Sequence, residues 1–334
     1  MRINNFTPFV PLLFKSENHD GDEFTVFVLK GTFRIVRDAP MVPVVEQVPI
    51  AFADEYYGAP LDSSLRRESD LAPIKARTDI CVEGNAKAAN GRAQESWEVG
   101  FRCSQLEKRL RVTGPRHWSY SLLRGWRLSA PEACDLVPMR YEYAFGGVAS
   151  RNAQTFVYES NPVGSGHAVN GWVRSDASII APQIEAIDDP MNQLDRKYAP
   201  QGFGPIAKSW LPRRSLCGTA DARWLKERWP KLPEDFSFDY YNHAHPDLQY
   251  PGFLNGDEDV QVAGLHIDGI FGFQLPGYRP SISLTFAEAA PTQMPLDLDT
   301  AYFDMSEHTA NLIWRVSFCE DETPQTINVE MSGC

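Results

Sequence analysis

The stretch Ser69-Asp-Leu-Ala-Pro-Ile-Lys-Ala-Arg-Thr-Asp79 runs directly into the apolar Ile80-Cys81-Val82. Pro73 has no backbone N–H and disfavours a helical Ala72, so the stretch is expected to be extended. Side chains of an extended chain alternate, which puts Ile74, Ala76 and Thr78 on one side and Lys75, Arg77 and Asp79 on the other. Two cations and a carboxylate leading into an apolar strand read as a solvated sheet edge whose charges pair with a neighbouring loop, Lys75 and Arg77 pairing internally and holding the loop 38–68 against the sheet. The same edge offers a partner protein a place to add a strand, with Lys75, Arg77 and Asp79 as docking residues. In either case the surrounding chain is β.

Upstream, Phe27, Leu29, Phe33 and Ile35 form one apolar face around Gly31, while the other face passes from Phe24, Val26 and Val28 to Lys30, Thr32 and Arg34. This pattern predicts a strand buried on both sides at its start and emerging into water towards its end. Residues 38–68 are rich in proline, acids and turn formers, with only Met41 to Ile50 strand-like. Downstream, the alternations Trp97, Val99, Phe101; Leu106, Leu110, Val112; Trp118, Tyr120, Leu122; and Met139, Tyr141, Tyr143, Phe145 predict half-buried antiparallel sheet. Phe236 to Tyr241, Val260 to Leu265, Ile270 to Leu275 and Ser281 to Phe286 read as further strands. A closing hairpin sets Leu296, Leu298 and Tyr302 against Leu312, Trp314, Val316 and Phe318.

One short helix is expected, with Thr219 as N-cap, Asp221 in the first turn, an end at Trp229-Pro230, and Trp224, Leu225 and Trp229 on a buried face. Residues 149–216 lose periodicity, yet Phe156, Trp172, Ile179, Ile180, Ile184, Phe203 and Trp210 are too apolar for a free linker and imply a loop wrapped on the sheets. The expected fold is therefore mainly β: antiparallel β-sandwich-like sheets with long wrapping loops and one or few short helices. It reads as one domain over 1–334, or as two packed sub-domains, 1–148 rich in β and 149–334 rich in loops.

With 43% hydrophobic and 12% aromatic residues in 334, the chain can bury a large core. Its 32 basic and 44 acidic residues give a formal charge of −12, which opposes binding to nucleic acid and to anionic membranes and fits a basic protein partner. The cysteines at 81, 103, 134, 217, 319 and 334 form no Cys-x-x-Cys pair. The apolar run Phe6 to Phe14 is broken by Pro8 and Pro11, and nothing resembles a signal peptide or a membrane span, so a cytoplasmic location is expected.

The most metal-like cluster is His243, His245 and Asp247, three positions that would share one face of a strand. It supports the reading of a β-fold metal-dependent hydrolase, against which stand Pro246 and the ordinary alternative of surface histidines. Gly202-Phe203-Gly204-Pro205-Ile206-Ala207 fits the dinucleotide pattern Gly-x-Gly-x-x-Ala formally, but no strand precedes it and no helix follows, so the glycines read as a turn. Gly164-Ser165-Gly166 is not a nucleophile elbow. Asp257, Glu258 and Asp259 read as a solvated turn rather than a calcium site. A carbohydrate-binding module is a further alternative, weakened because most aromatics fall at core-facing positions. No cofactor is called for.

Several of these stretches occur together in a known family. Lys30-Gly31-Thr32-Phe33, Ser69 to Asp79, Tyr141 to Gly147, Gly202-Phe203-Gly204-Pro205, Gly218-Thr219 and the Trp-Pro-x-Leu-Pro-x-Asp-Phe run from Trp229 to Phe236 resemble, in order and spacing, the domain of unknown function 2169 family. Ile74 and Ala76 are a mild departure from its pattern. The resemblance implies a non-enzymatic adaptor or chaperone of the bacterial type VI secretion system, whose partners are a secreted effector toxin and a spike or spike-tip protein.

Overall fold

The computed structural model describes residues 1–151, 154–169, 178–288, 290–319 and 324–332. In chain order the principal strands are β1 (Arg2–Asn5), β2 (Val10–Glu17), β3 (Glu23–Arg34), β4 (Thr78–Glu83), β5 (Ser96–Cys103), β6 (Leu106–Thr113), β7 (His117–Ser121), β8 (Gly125–Leu128), β9 (Ile184–Ala186), β10 (Gln249–Tyr250), β11 (Asp259–His266), β12 (Gly269–Gln274), β13 (Arg279–Thr285), β14 (Thr292–Pro295), β15 (Asp297–Asp304), β16 (Thr309–Phe318) and β17 (Thr326–Ser332). The one α-helix among the described residues is α1 (Ala222–Glu227). Among the described residues no helix is long and apolar enough to cross a membrane.

The largest sheet runs β2-β3-β16-β15-β4-β10, with Val42–Pro43 added beside β3. A second runs β9-β6-β5-β11-β12 and a third β1-β17-β13-β14. Neighbours in these sheets are antiparallel except β15 with β4 and β1 with β17. The fold is mainly β with antiparallel sheets packed face to face, as the alternation of apolar residues implies. Phe101 of β5 and Phe273 of β12 meet Phe303 of β15, with ring centroids 5.8 and 5.4 Å apart, so the second sheet closes one face of the first. Phe27, Leu29 and Phe33 of β3 point into this common core.

The other face of β3 is also covered. Phe24, Val26 and Val28 pack with Ile50 and Ile313, and burial continues through Lys30 and Thr32 to Phe33. The expected emergence into water is thus confined to Arg34. Lys30 stays inside because its Nζ reaches Asp70 Oδ2 at 2.8 Å and the Pro49 carbonyl at 3.0 Å. Thr32 stays inside because Asn311 and Gln47 bond to it. A charge or hydroxyl in the right register to meet a partner does not end a buried strand.

Gly31 lies where Phe9 crosses β3. A β-carbon there would stand 2.8 Å from the Phe33 ring and 2.9 Å from the Phe9 ring, and Phe9 in turn stacks on Trp314 at 5.6 Å. Gly31→Ala is therefore expected to cost about 1–3 kcal/mol through overpacking. The midpoint of urea unfolding measures it, and an unchanged midpoint would mean the Phe9 ring moves aside freely.

Elsewhere the structure departs from the sequence reading for identifiable reasons. Tyr141–Tyr143 and Phe238–Tyr241 are 3-10 turns rather than strands. Tyr141 explains the neighbouring glycines as well, because a β-carbon on Gly202 would meet its ring at 2.9 Å; Gly202 marks a close approach, not a tight turn. Of Met41 to Ile50 only Val42–Pro43 is strand. The N-cap of α1 is Asp221, which accepts from the Trp224 N–H at 2.8 Å, while Thr219 is tied to Asp235. The helix buries no face, and Leu225 and Trp229 are 60% and 64% exposed. In the wrapped region Ile184, Phe203 and Trp210 are buried as expected, Phe156 and Ile180 are exposed, and Trp172 lies outside the described residues. The final hairpin is β15–β16, but β17 follows it and pairs with both β1 and β13.

Candidate functional site

The family of strand registers β3–β16–β15–β4 places Lys30, Asn311, Arg315, Thr300, Tyr302 and Asp79 on the sheet face turned away from the common core. Loops cover that face, and the polar side chains become internal. The motif Ser69–Asp79 is one of these loops. It is not an edge: β4, which begins at Thr78, lies between β15 and the short β10.

Lys75 is the centre of the cluster. Its Nζ donates to Asp79 Oδ2 at 2.7 Å and to Thr300 Oγ1 at 2.8 Å, and it stands 3.1 Å from His243 Nδ1. An ammonium has three donors and no acceptor, so these contacts satisfy it and require His243 to accept at Nδ1 and carry its proton on Nε2. Burial, reinforced by the Lys75 charge, depresses the His243 pKa to about 4, which keeps the ring neutral. Asp79 also accepts the backbone N–H groups of His243 and Ala244 at 3.0 and 3.1 Å. Burial alone would raise its pKa, but Lys75, His243 and these hydrogen bonds outweigh it and bring the value to about 2. The side chains of Lys75 and Asp79 are 2% and 0% exposed, so the expected solvated edge is overturned for both.

Arg77 behaves differently. It pairs with Asp239 at 3.1 Å on the surface, an arrangement worth at most about 1 kcal/mol. Asn242 fastens the backbone between them, donating to the Arg77 carbonyl at 3.0 Å and accepting from the Ala76 N–H at 3.3 Å. The structure thus unites Lys75 and Asp79 and leaves Arg77 apart.

Three more buried ion pairs adjoin the cluster: Lys30–Asp70, Arg315–Asp299 and Arg213–Glu68. Arg213 is bidentate, with both terminal nitrogens on the Glu68 carboxylate. Burial opposes ionisation of Glu68, yet the Arg213 hydrogen bonds hold its pKa below the usual value. Arg213 also donates to the carbonyls of Ile206 and Tyr240, so one guanidinium joins the wrapped loop, the 3-10 turn and the residue that precedes the Ser69–Asp79 loop. The space left among Lys30, Arg67, Asp70, Lys75, His243 and Arg315 is about 40 Å³.

His243, His245 and Asp247 do not share a strand face. His243 belongs to the Lys75 cluster, whereas His245 and Asp247 flank a second buried lysine, Lys108 of β6, at 3.1 and 2.7 Å from its Nζ. Pro246 starts a 3-10 turn, Pro246–Leu248, so no strand continues through Asp247. Burial and the Lys108 charge depress the His245 pKa to about 4. Among the described residues no group of three His, Cys, Asp or Glu side chains could hold a metal ion. Glu258 is likewise no free turn carboxylate: it is buried and accepts the N–H groups of Asn255 and Gly256 at 2.7 and 3.0 Å.

Sequence reading placed Lys30 where its strand was expected to emerge into water and did not single out Lys108, Arg213 or Arg315. A signal existed for Lys108, which has the same strand parity as the inward Leu106, Leu110 and Val112. For Arg213 the partner Glu68 lies 145 residues away and no local pattern marks it, whereas Arg315 finds Asp299 on the adjacent strand of the closing hairpin, where alternation alone does not show that the polar face is covered.

Comparison with curated proteins and with solved structures yields no match. Residues 20–315 match the family described as uncharacterized proteins conserved in bacteria, DUF2169, whose span takes in β3, the Ser69–Asp79 loop and both buried lysine clusters. The chain belongs to the DUF2169 family.

Proposed function

We propose that this protein is a non-enzymatic cytosolic adaptor or chaperone that binds a toxic effector of a type VI secretion system and assists its loading onto the secretion spike or a spike-tip protein. The observation that carries this reading is the closure of the charge network. Its 40 Å³ of free space accommodates a water and no organic substrate. Every hydrogen of the Lys75 ammonium is committed to Asp79, Thr300 or His243. The most polar part of the family motif therefore serves to hold loops on the sheet.

The adaptor reading draws on the outer surface. Large apolar side chains stand out at Val45, Phe52, Leu122, Leu123, Leu225 and Trp229, and the formal charge of −12 favours encounter with a basic partner. The test is co-expression with the effector encoded beside it, followed by affinity capture, together with secretion of that effector from a deletion strain. Co-purification and loss of secretion are the expected results. No capture and undiminished secretion would sink the proposal.

A further inference from the structure

Residues 108–131 contain six basic residues and no acidic one, in a chain of formal charge −12. Four of the six are used by the body of the protein: Lys108 on Asp247, Arg109 on Glu98, and Arg111 and Arg116 on Glu185. Arg124 and Arg127 are exposed and make no ion pair among the described residues. Both belong to the β7–β8 hairpin, with Arg124 in its loop and Arg127 opposite Ser119.

The hairpin is stiff. Its register pairs Trp118 with Leu128, Tyr120 with Trp126 and Ser121 with Gly125. At its base Trp118 is buried beside Phe145 and Tyr198, and Tyr120 packs edge-on against Trp126 at 5.5 Å. At its tip the Arg124 N–H donates to Ser121 Oγ and to the Ser121 carbonyl at 3.2 and 3.3 Å, and Gly125 takes φ +66°. A three-residue hairpin loop closed by a left-handed glycine is a favoured geometry, so the loop conformation does not depend on what occupies its first two positions. Those positions are Leu122 and Leu123, exposed at 93% and 96%. Strand alternation had assigned Leu122 to the inward face with Trp118 and Tyr120. Turn positions ordinarily carry Gly, Asn, Asp, Ser or Pro, and two leucines in water contribute nothing to this fold.

We propose, resting on the adaptor reading above, that the Leu122–Leu123 tip is the docking knob for the carried protein, seated in an apolar pocket whose rim of carboxylates meets Arg124 and Arg127. Two features favour a protein over a membrane surface. The formal charge of −12 repels anionic lipid, and Trp118 and Trp126 pack into the body, so two aliphatic side chains alone would enter a bilayer, too little for stable insertion. A pocket can enclose both leucines completely, and such centrally buried apolar anchors are what carry affinity at interfaces. A partner that is basic overall but carboxylate-rimmed at this pocket matches both the acidic body and the basic hairpin.

The test compares the wild-type protein, Leu122→Ser/Leu123→Ser and Arg124→Glu/Arg127→Glu by calorimetric titration with the purified effector encoded beside it. The leucine variant is expected to lose affinity by about 100-fold, from burial of the two side chains. The arginine variant is expected to lose about 10-fold and to show a shallower dependence on salt. Melting temperatures should stay unchanged, since the altered side chains are exposed. If the wild type fails to bind the effector, the adaptor reading itself falls and this inference with it. If the wild type binds and the leucine variant binds equally, the reading stands and the hairpin is not the docking site. Leucine-dependent co-sedimentation with phosphatidylglycerol vesicles, or leucine-dependent dimerisation in sedimentation velocity, with effector binding intact, would overturn the inference in favour of a membrane or a second copy.

Discussion

Asp79→Ala is expected to lower the unfolding free energy by about 3–5 kcal/mol, the loss typical of removing one partner from a buried ion pair. The substitution strands the Lys75 ammonium at a site with 2% side-chain exposure, and it leaves the N–H groups of His243 and Ala244 without their acceptor. Neither group can turn to water without moving the loop that carries it. Lys75→Met with Asp79→Leu removes both charges together and should recover much of the loss, because a buried pair replaced by apolar groups of similar size is often near neutral. The backbone N–H groups still lack a partner in that double variant, so recovery should be incomplete. Chemical denaturation of the three proteins measures these differences. A loss below about 1 kcal/mol for Asp79→Ala would be the behaviour of a solvated pair and would contradict the buried network.

Acid is expected to destabilise the protein in two stages. His243 and His245 are held neutral with pKa values of about 4. In the unfolded chain they titrate near 6.5. Between about pH 6.5 and 4 the unfolded state therefore binds protons that the folded state does not, and stability falls with falling pH. The contribution is fully present above the unfolded value and is lost as pH drops through the folded one. For each ring the depression corresponds to on the order of 3 kcal/mol. Asp79, with a folded pKa of about 2, acts in a later window: its contribution survives to about pH 3.8 and disappears below that. Urea unfolding at a series of pH values from 7.5 to 4 tests the first stage, with His243→Gln and His245→Gln as controls whose slopes should each be shallower than that of the wild type. A flat profile across this range would show that the rings are not buried against Lys75 and Lys108.

Where apolar residues alternate, the sequence is a direct record of the fold. β5, β6, β11, β12 and the β15–β16 hairpin lie where Trp97 to Phe101, Leu106 to Val112, Val260 to Leu275 and Leu296 to Phe318 had indicated. Each of these strands has its environment decided by its own side chains. The buried cations were illegible for the opposite reason. The nearby Asp79 does not by itself distinguish Lys75 from a surface lysine in a local pair, because the remaining partners of its ammonium, Thr300 and His243, are brought up by strands and loops remote in the chain. Tyr141 and Phe238 were misplaced as strand residues because an aromatic at every second position fits a pleat and a 3-10 turn equally well over so few residues. Asp79 was read together with Lys75 and Arg77 as one row of an edge, and its burial was missed, since period-two alternation says which side chains share a face and not whether that face is covered.

The order in which the large sheet is assembled bears on how the protein is made. β3 is complete at residue 34, but its central neighbour β16 does not begin until residue 309; β4 waits similarly for β15, which spans Asp297–Asp304. A chain emerging from the ribosome therefore carries the strand from Phe24 to Phe33, apolar on both faces along most of its length, with β2 and the two-residue strand Val42–Pro43 as its early sheet partners. Contacts of such sequence separation form slowly, and an unpaired hydrophobic strand invites association with other nascent chains. Aggregation during production should accordingly follow the time taken to synthesise residues 35–309 more closely than the stability of the finished fold. Slower growth at lower temperature would not help unless it also lowered the number of chains waiting in that state at once.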